Sequence, residues 1–298
     1  MSGGFSLINI DGKFTEPATV LITKISDAVG SLFRPTQIRR VAEAESEAAI
    51  IEAQAQIEVT SLQHRAFTRL ISEEAKKQNN IETIIEKAIP QLTDSSNPQD
   101  MQDDWITNFF DKCRIISDDE MQSLWARILS SEANSPGTFS RRTVNSLGSL
   151  DKSDAQLFAA FCGFLCLIEG ELVPLIYHME SSITGAIGQS IYEDNGIKFT
   201  ALAHLSSIGL ISFEPLGYSQ TELSQQIDIA YYDATIRVEF SNPENNQLDS
   251  GNALLTAVGK ELARVCGSKP VDGFVDYAIK AFTQMGLAAS SPYPTQDT

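Results

Sequence analysis

The side chains able to do chemistry are few: three His and four Cys in 298 residues. Cys162 and Cys166 stand four apart in an apolar stretch that also holds Phe161, Phe164 and Leu165. On one helix the two thiols face the same way, which is half a metal site by spacing. No His lies near them in sequence, and a reduced Cys packs as a small hydrophobe, so core packing is the simpler reading. His64, His178 and His204 fall in three separate segments. Acidic side chains are more concentrated: Asp103, Asp104, Asp111, Asp118, Asp119 and Glu120 would suit a divalent cation in nuclease chemistry. Most of them sit where helices are expected to start, and there capping and the helix dipole account for them without a metal. Arg141 and Arg142, with Arg114 and Arg127 at a distance, are the one basic concentration between residues 98 and 170, an ion-paired face or an anion site.

None of the compact catalytic signatures is present. The sequence contains no G-x-S-x-G, H-E-x-x-H or C-x-x-C, and no G-x-G-x-x-G after a strand. Gly259-Lys260 resembles the end of a phosphate loop, but Leu254 stands where its first Gly belongs. No catalytic residue, cofactor or metal is therefore assigned. The net charge of −17 argues against nucleic acid as a partner, because a polyanion gains nothing from counterion release. That charge is uneven: residues 1–77 carry 9 basic and 10 acidic groups, residues 78–298 carry 13 and 29. A near-neutral arm and an acidic body are implied. No apolar run is long enough to span a bilayer, and the N-terminus lacks the basic and apolar regions of a secretory signal, so a cytoplasmic protein with reduced cysteines is expected.

The elements that would position these groups start with Pro17–Phe33. Leu21, Ile25, Val29, Leu32 and Phe33 share one arc of a helical wheel, with polar residues opposite. That face packs on the chain's own body, on a partner or on a membrane surface; with only Lys24 on its polar side, the membrane reading is the weaker one. Between Thr36 and Ile89 there is neither Gly nor Pro, and an unbroken helix there would be about 54 residues and about 80 Å long. Ile38, Val41, Ile51, Val59 and Leu62, with Ala48, Ala55 and Ala66 between and after them, recur at steps of three, four and seven residues and form a self-association seam. Gln78-Asn79-Asn80 marks a break in that stalk.

After a polar linker ending in Asn97-Pro98, helix starts are expected at Asn97, at a Ser117–Glu120 capping box and at Asp151. Their apolar faces build a helical bundle over 98–170, closing with a buried helix from Leu157 to Ile168. Beyond Gly170 the texture changes: a helix over Phe199–Leu210, a short strand at Ile211–Phe213, a second strand at Thr235–Phe240 and a helix over Leu254–Cys266 have the order of a winged-helix-like module. Its acidity directs that module to protein contact. The expected class is thus mainly α, with an amphipathic segment (1–33), a long helical stalk (34–92), a bundle (98–170), a small winged-helix-like α+β module (171–285) and a flexible tail (286–298).

Several phrases together are familiar: ISDAVGSLFRPTQIRRVAEAESEA, DDWITNFFDKC, ISDDEMQSLWARILSSEANSPGTFSRRTVNSLGSLDKSDAQLF and HLSSIGLISF. They resemble a bacterial family known as domain of unknown function 2806. The block from Asp118 to Phe158 is the specific part, with its tryptophan-bearing helix, Pro-Gly break and Ser-Arg-Arg-Thr segment in fixed order. The resemblance brings no catalytic residues with it. A more distant likeness, carried by Leu147 to Ala155, is to alpha-type abortive-infection proteins, which implies phage defence or stress response. The expected function is a non-enzymatic scaffold that self-associates through its N-terminal helices and binds a protein partner. The alternatives are a membrane-associated effector or sensor and a metal-dependent enzyme at the Asp cluster.

Overall fold

A computed structural model describes residues 15–30, 61–177, 191–241 and 246–292. The chain divides into two compact units, Met1–Ser149 and Leu150–Thr298. The boundary falls inside the segment expected to be a single bundle.

The first unit is helical. Helix α1 spans Glu16–Val29, with Pro17 in its first turn where no amide hydrogen is needed, and stops at Gly30 in the left-handed region (φ 68°). Helix α2 covers Ser61–Ala88 and ends in a 3-10 turn, Ile89–Gln91. The expected break at Gln78-Asn79-Asn80 does not occur. Asn80 instead donates to the Arg114 carbonyl at 2.9 Å and accepts from Gln122 at 3.3 Å, so its side chain bonds across the unit rather than competing with its own backbone.

Pro98–Asp100 forms only a 3-10 turn, and helix α3 begins later, at Asp103–Cys113. Asp103 and Asp104 occupy its first turn, as the dipole favours. Helix α4, Asp119–Asn134, is capped by Asp118 rather than Ser117: its carboxylate accepts from the amides of Glu120 and Met121 at 3.0 Å each. Helix α5, Arg141–Leu147, is capped by Ser140. The core gathers Trp105, Phe109 and Trp125, with Phe109 stacked on Trp105 and edge-on to Trp125, both with ring centroids 5.0 Å apart. The loop through the Pro-Gly break is tied in by buried Glu132, which accepts from the amides of Gly137 (2.7 Å) and Phe139 (2.8 Å). The Phe139 carbonyl then accepts from the Trp105 indole at 2.8 Å.

The second unit overturns the mainly α expectation: it carries two antiparallel sheets, of five and of two strands. Helix α6 (Lys152–Cys162) starts at Asp151, as expected, with Asp154 completing a capping box, but ends six residues early. Strand β1 (Leu165–Ile168) takes over and turns through Glu169-Gly170 into β2 (Glu171–Pro174). Both turn residues have positive φ, 45° and 87°, the geometry of a two-residue hairpin. An apolar run of this kind reads alike as buried helix or buried strand, and that turn decides it.

Helix α7 (Phe199–Ser207) leads past Gly209 (φ 77°) into β3 (Ile211–Gln220). Strands β4 (Gln226–Tyr231) and β5 (Ala234–Glu239) form a hairpin, β6 spans Leu248–Leu255, α8 Ala257–Ala263, α9 Phe274–Gln284 and β7 Ala288–Ser290. The large sheet has the order β2-β1-β4-β5-β7, and β3 pairs with β6. The two strands foreseen as one winged ribbon, at Ile211 and Thr235, therefore belong to different sheets. The expected flexible tail starts as β7, paired with β5 through Val238 and Ala289; residues 293–298 lie outside the described part. Phe164, Tyr192, Phe274 and Tyr277 form the aromatic centre of this unit, with Phe164 5.0 Å from Tyr192 and 5.3 Å from Phe274.

Candidate functional site: three zones on one helix

Helix α2 changes surroundings along its length while its pattern stays constant. Ile81, Ile84, Ile85 and Ala88 are buried, packed on α4, and Lys87 clamps that root by reaching the Asp119 carboxylate (2.6 Å) and carbonyl (2.8 Å). Leu62, Ala66, Phe67 and Leu70 fall on the same arc of the helical wheel, yet Leu62, Phe67 and Leu70 are 67, 46 and 52% exposed. Only single scattered apolar residues are ordinary on a surface; a row in helical register marks a face that wants a partner.

Between these zones the same arc carries Glu74 and Lys77, which face a cleft of about 440 Å³ shared with the end of α1 and with α3. Its floor is apolar, from Val29, Ile81 and Phe110. Its walls pair Glu74 with Lys77 at 2.6 Å and Asp111 with Arg114 at 2.8 Å. The bond from Lys77 holds the Glu74 carboxyl below its ordinary value, with Arg114 adding to the effect. Glu74 is thus a fixed anion at neutral pH.

The family described as "Protein of unknown function (DUF2806)" matches residues 64–279. The chain belongs to that family. No curated protein and no solved structure matches it. The DUF2806 match opens at His64, within the exposed zone of α2, so α1 lies outside it.

The remaining sequence candidates are placed as follows. Leu21 and Ile25 of α1 are buried, and Val29 lines the cleft, so this face lies against α3 and the Pro98 turn of the chain's own body. Leu32 and Phe33, and the seam residues Ile38, Val41, Ile51 and Val59, lie outside the described residues; Leu62 is the seam member that is described. Arg141 and Arg142 point to solvent at the start of α5, with Arg141 3.8 Å from Asp104, and neither lines the cleft.

Among the described residues no group of three or more His, Cys, Asp or Glu is arranged to hold a metal. The Asp cluster is dispersed over caps and ion pairs, and Cys162 and Cys166 sit on different elements, a helix and a strand. His204 bonds the Asp154 carboxylate at 2.7 Å; that bond, with the amide of Asp151, holds Asp154 below its usual range. His178 lies outside the described residues, and His64 is exposed. Gly259 is needed for packing rather than phosphate: a Cβ there would stand 2.0 Å from the Leu210 carbonyl oxygen, and Lys260 pairs with Glu171 at 2.7 Å. No helix among the described residues is long and apolar enough to cross a membrane.

Sequence reasoning missed the cleft. Its four charged residues come from α2 and α3, far apart in the chain, and only Glu74-x-x-Lys77 and Asp111-x-x-Arg114 at i,i+3 spacing signalled them.

Proposed function

We propose that this chain is a non-enzymatic interaction protein whose uncovered row on α2 docks against the same row of a second copy. The observation that supports this most directly is continuity: Leu62, Ala66, Phe67 and Leu70 extend the apolar arc that α4 already covers at Ile81, Ile84, Ile85 and Ala88. A second copy is favoured over an unrelated acidic or basic partner by charge. Residues 1–77 are nearly neutral, whereas residues 78–298 carry 13 basic against 29 acidic groups. Leu62 to Leu70 fall in the near-neutral part of the sequence, so two copies approach through this row with less repulsion than residues 78–298 would impose. Copies would therefore meet along α2, in the cytoplasm, with the acidic surfaces left for a protein partner. The likeness of Leu147 to Ala155 to alpha-type abortive-infection proteins supports a place for this assembly in phage defence or stress response.

Light scattering coupled to size exclusion tests the assembly. The full chain is expected to run as an oligomer, and Leu62→Glu with Leu70→Glu to shift it to monomer without loss of helical circular dichroism. A monomeric wild-type chain at high concentration, or an unchanged oligomer in the double variant, would overturn it. Plating efficiency of phage on the native host with and without the gene tests the biological setting, with equal plating counting against defence.

A further inference from the structure

The second unit holds three of the four thiols. Cys162 ends α6, Cys166 lies in β1, and Cys266 follows α8; the first two are buried and the third is partly exposed. Cys166 is pushed up to about 12 by burial, as expected of an inert core thiol. Cys162 differs in having the Cys266 thiol within interaction range. Burial first, then that neighbour, push Cys162 well above the ordinary thiol range.

The segments bearing Cys162 and Cys266 are held together through one side chain. The Tyr231 hydroxyl donates to the Gly163 carbonyl at 2.8 Å and accepts from the Val271 amide at 2.6 Å, bridging the end of α6 to the loop after Cys266. Gly163 allows the approach, since a Cβ there would lie 2.9 Å from the Lys269 carbonyl oxygen. Tyr232 adds a second tie. Its φ of 47° is a costly conformation for a bulky residue, and it is held by ring contact with Tyr231 at 5.0 Å and by a 2.9 Å bond from its hydroxyl to Ser268. Tyr232 is 44% exposed, so the Cys266 side of this cluster reaches solvent.

We propose that Cys162 and Cys266 form a modification site, a dithiol that hydrogen peroxide closes to a disulfide. The partly exposed partner reacts first. The Cys266 sulfur attacks one peroxide oxygen, the O–O bond breaks, one water leaves and Cys266 becomes a sulfenic acid. The Cys162 sulfur then displaces the sulfenic hydroxyl, which departs as a second water with the Cys162 proton, and the S–S bond forms. Both sulfurs together lose two electrons and the peroxide gains them. Burial keeps Cys162 protonated, so closure is slow at neutral pH and faster in alkaline buffer. The bond would lock the 266–271 loop onto the end of α6. This site is independent of the association through α2.

The test uses the folded full-length chain, reduced, exposed to hydrogen peroxide, quenched with iodoacetamide in denaturant and mapped by non-reducing peptide mass spectrometry. Free thiols are expected to fall from four to two, with a Cys162–Cys266 crosslinked peptide lighter by two hydrogens. Cys113→Ser should still lose two thiols, and Cys266→Ser, at the partly exposed position, should keep its remaining three. An unchanged thiol count, a Cys162–Cys166 crosslink, or Cys266 oxidised to sulfinic acid with Cys162 untouched would each overturn the assignment.

Discussion

The two ends of α2 have the same apolar arc and opposite surroundings. Near Ile84 and Ile85 the arc is sealed by α4; near Leu62 and Leu70 it faces water. Helical periodicity therefore states that a face will be covered, and leaves open by what. The cleft between the ends shows the transition: as the neighbours retreat, the arc switches from isoleucine to an ion pair, Glu74 with Lys77, which tolerates either surrounding.

The largest contrast is expected from paired truncations. Ile85→Ala should cost about 2–5 kcal/mol in urea unfolding because it leaves a cavity in a packed site, whereas Leu70→Ala in dilute, monomeric conditions should stay within about 0.5 kcal/mol. Equal losses would mean that the exposed end is covered after all. Next comes Asn80→Ala, which strips the Arg114 carbonyl and the Gln122 amide of a partner. About 1–3 kcal/mol should be lost, and a neutral result would show that the helix runs through Gln78-Asn79-Asn80 without this bond. Asp118→Ala removes the cap of α4, the element that seals the root, and should cost about 1 kcal/mol. Its effect should reach the root, read as faster amide exchange at Ile84 and Ile85, but not at Leu70.

The smallest effect belongs to the middle zone. Lys77→Ala should let the Glu74 carboxyl rise toward 4.5 in an NMR titration. A carboxyl lowered in the folded state favours folding above its ordinary value and loses that contribution as pH falls through the lowered one. Because Glu74 is solvated, unfolding stability should hardly change, and a large loss would show the ion pair to be a structural clamp.

How legible was all this in the letters? Strong local chemistry carried through. Pro17 lies in the first turn of α1, Asp151 caps α6, and Asp103 and Asp104 lie in the first turn of α3, because each depends on neighbours within one turn. The Asp118–Phe158 block also carried the family resemblance. Long-range pairings did not carry through. Leu165–Ile168 is a strand because Glu169-Gly170 folds it onto β2 and because Ala230 of β4 lies beside it, and the residue at 230 is remote in sequence. Thr235 pairs with Ala230 and Ile211 with Leu255, so two segments adjacent in a winged-helix order separate into two sheets. Of the site, the seam residue Leu62 was visible as periodicity, while the cleft needed α2 and α3 to meet.

What the sequence determined by itself is where α1 and α6 start, at Pro17 and Asp151, and that the net acidic charge lies beyond residue 77. Those are properties of adjacent residues and of sums. Tertiary structure alone decided that Leu21 and Ile25 are covered while Leu62 and Leu70 are bare, although all four sit on equally amphipathic faces. It also brought the loop after Cys266 against the end of the helix that bears Cys162. The physical reason is the same in each case: burial and proximity are set by which other segment arrives, and an apolar or sulfur-bearing face binds without direction, so its own pattern does not name its partner.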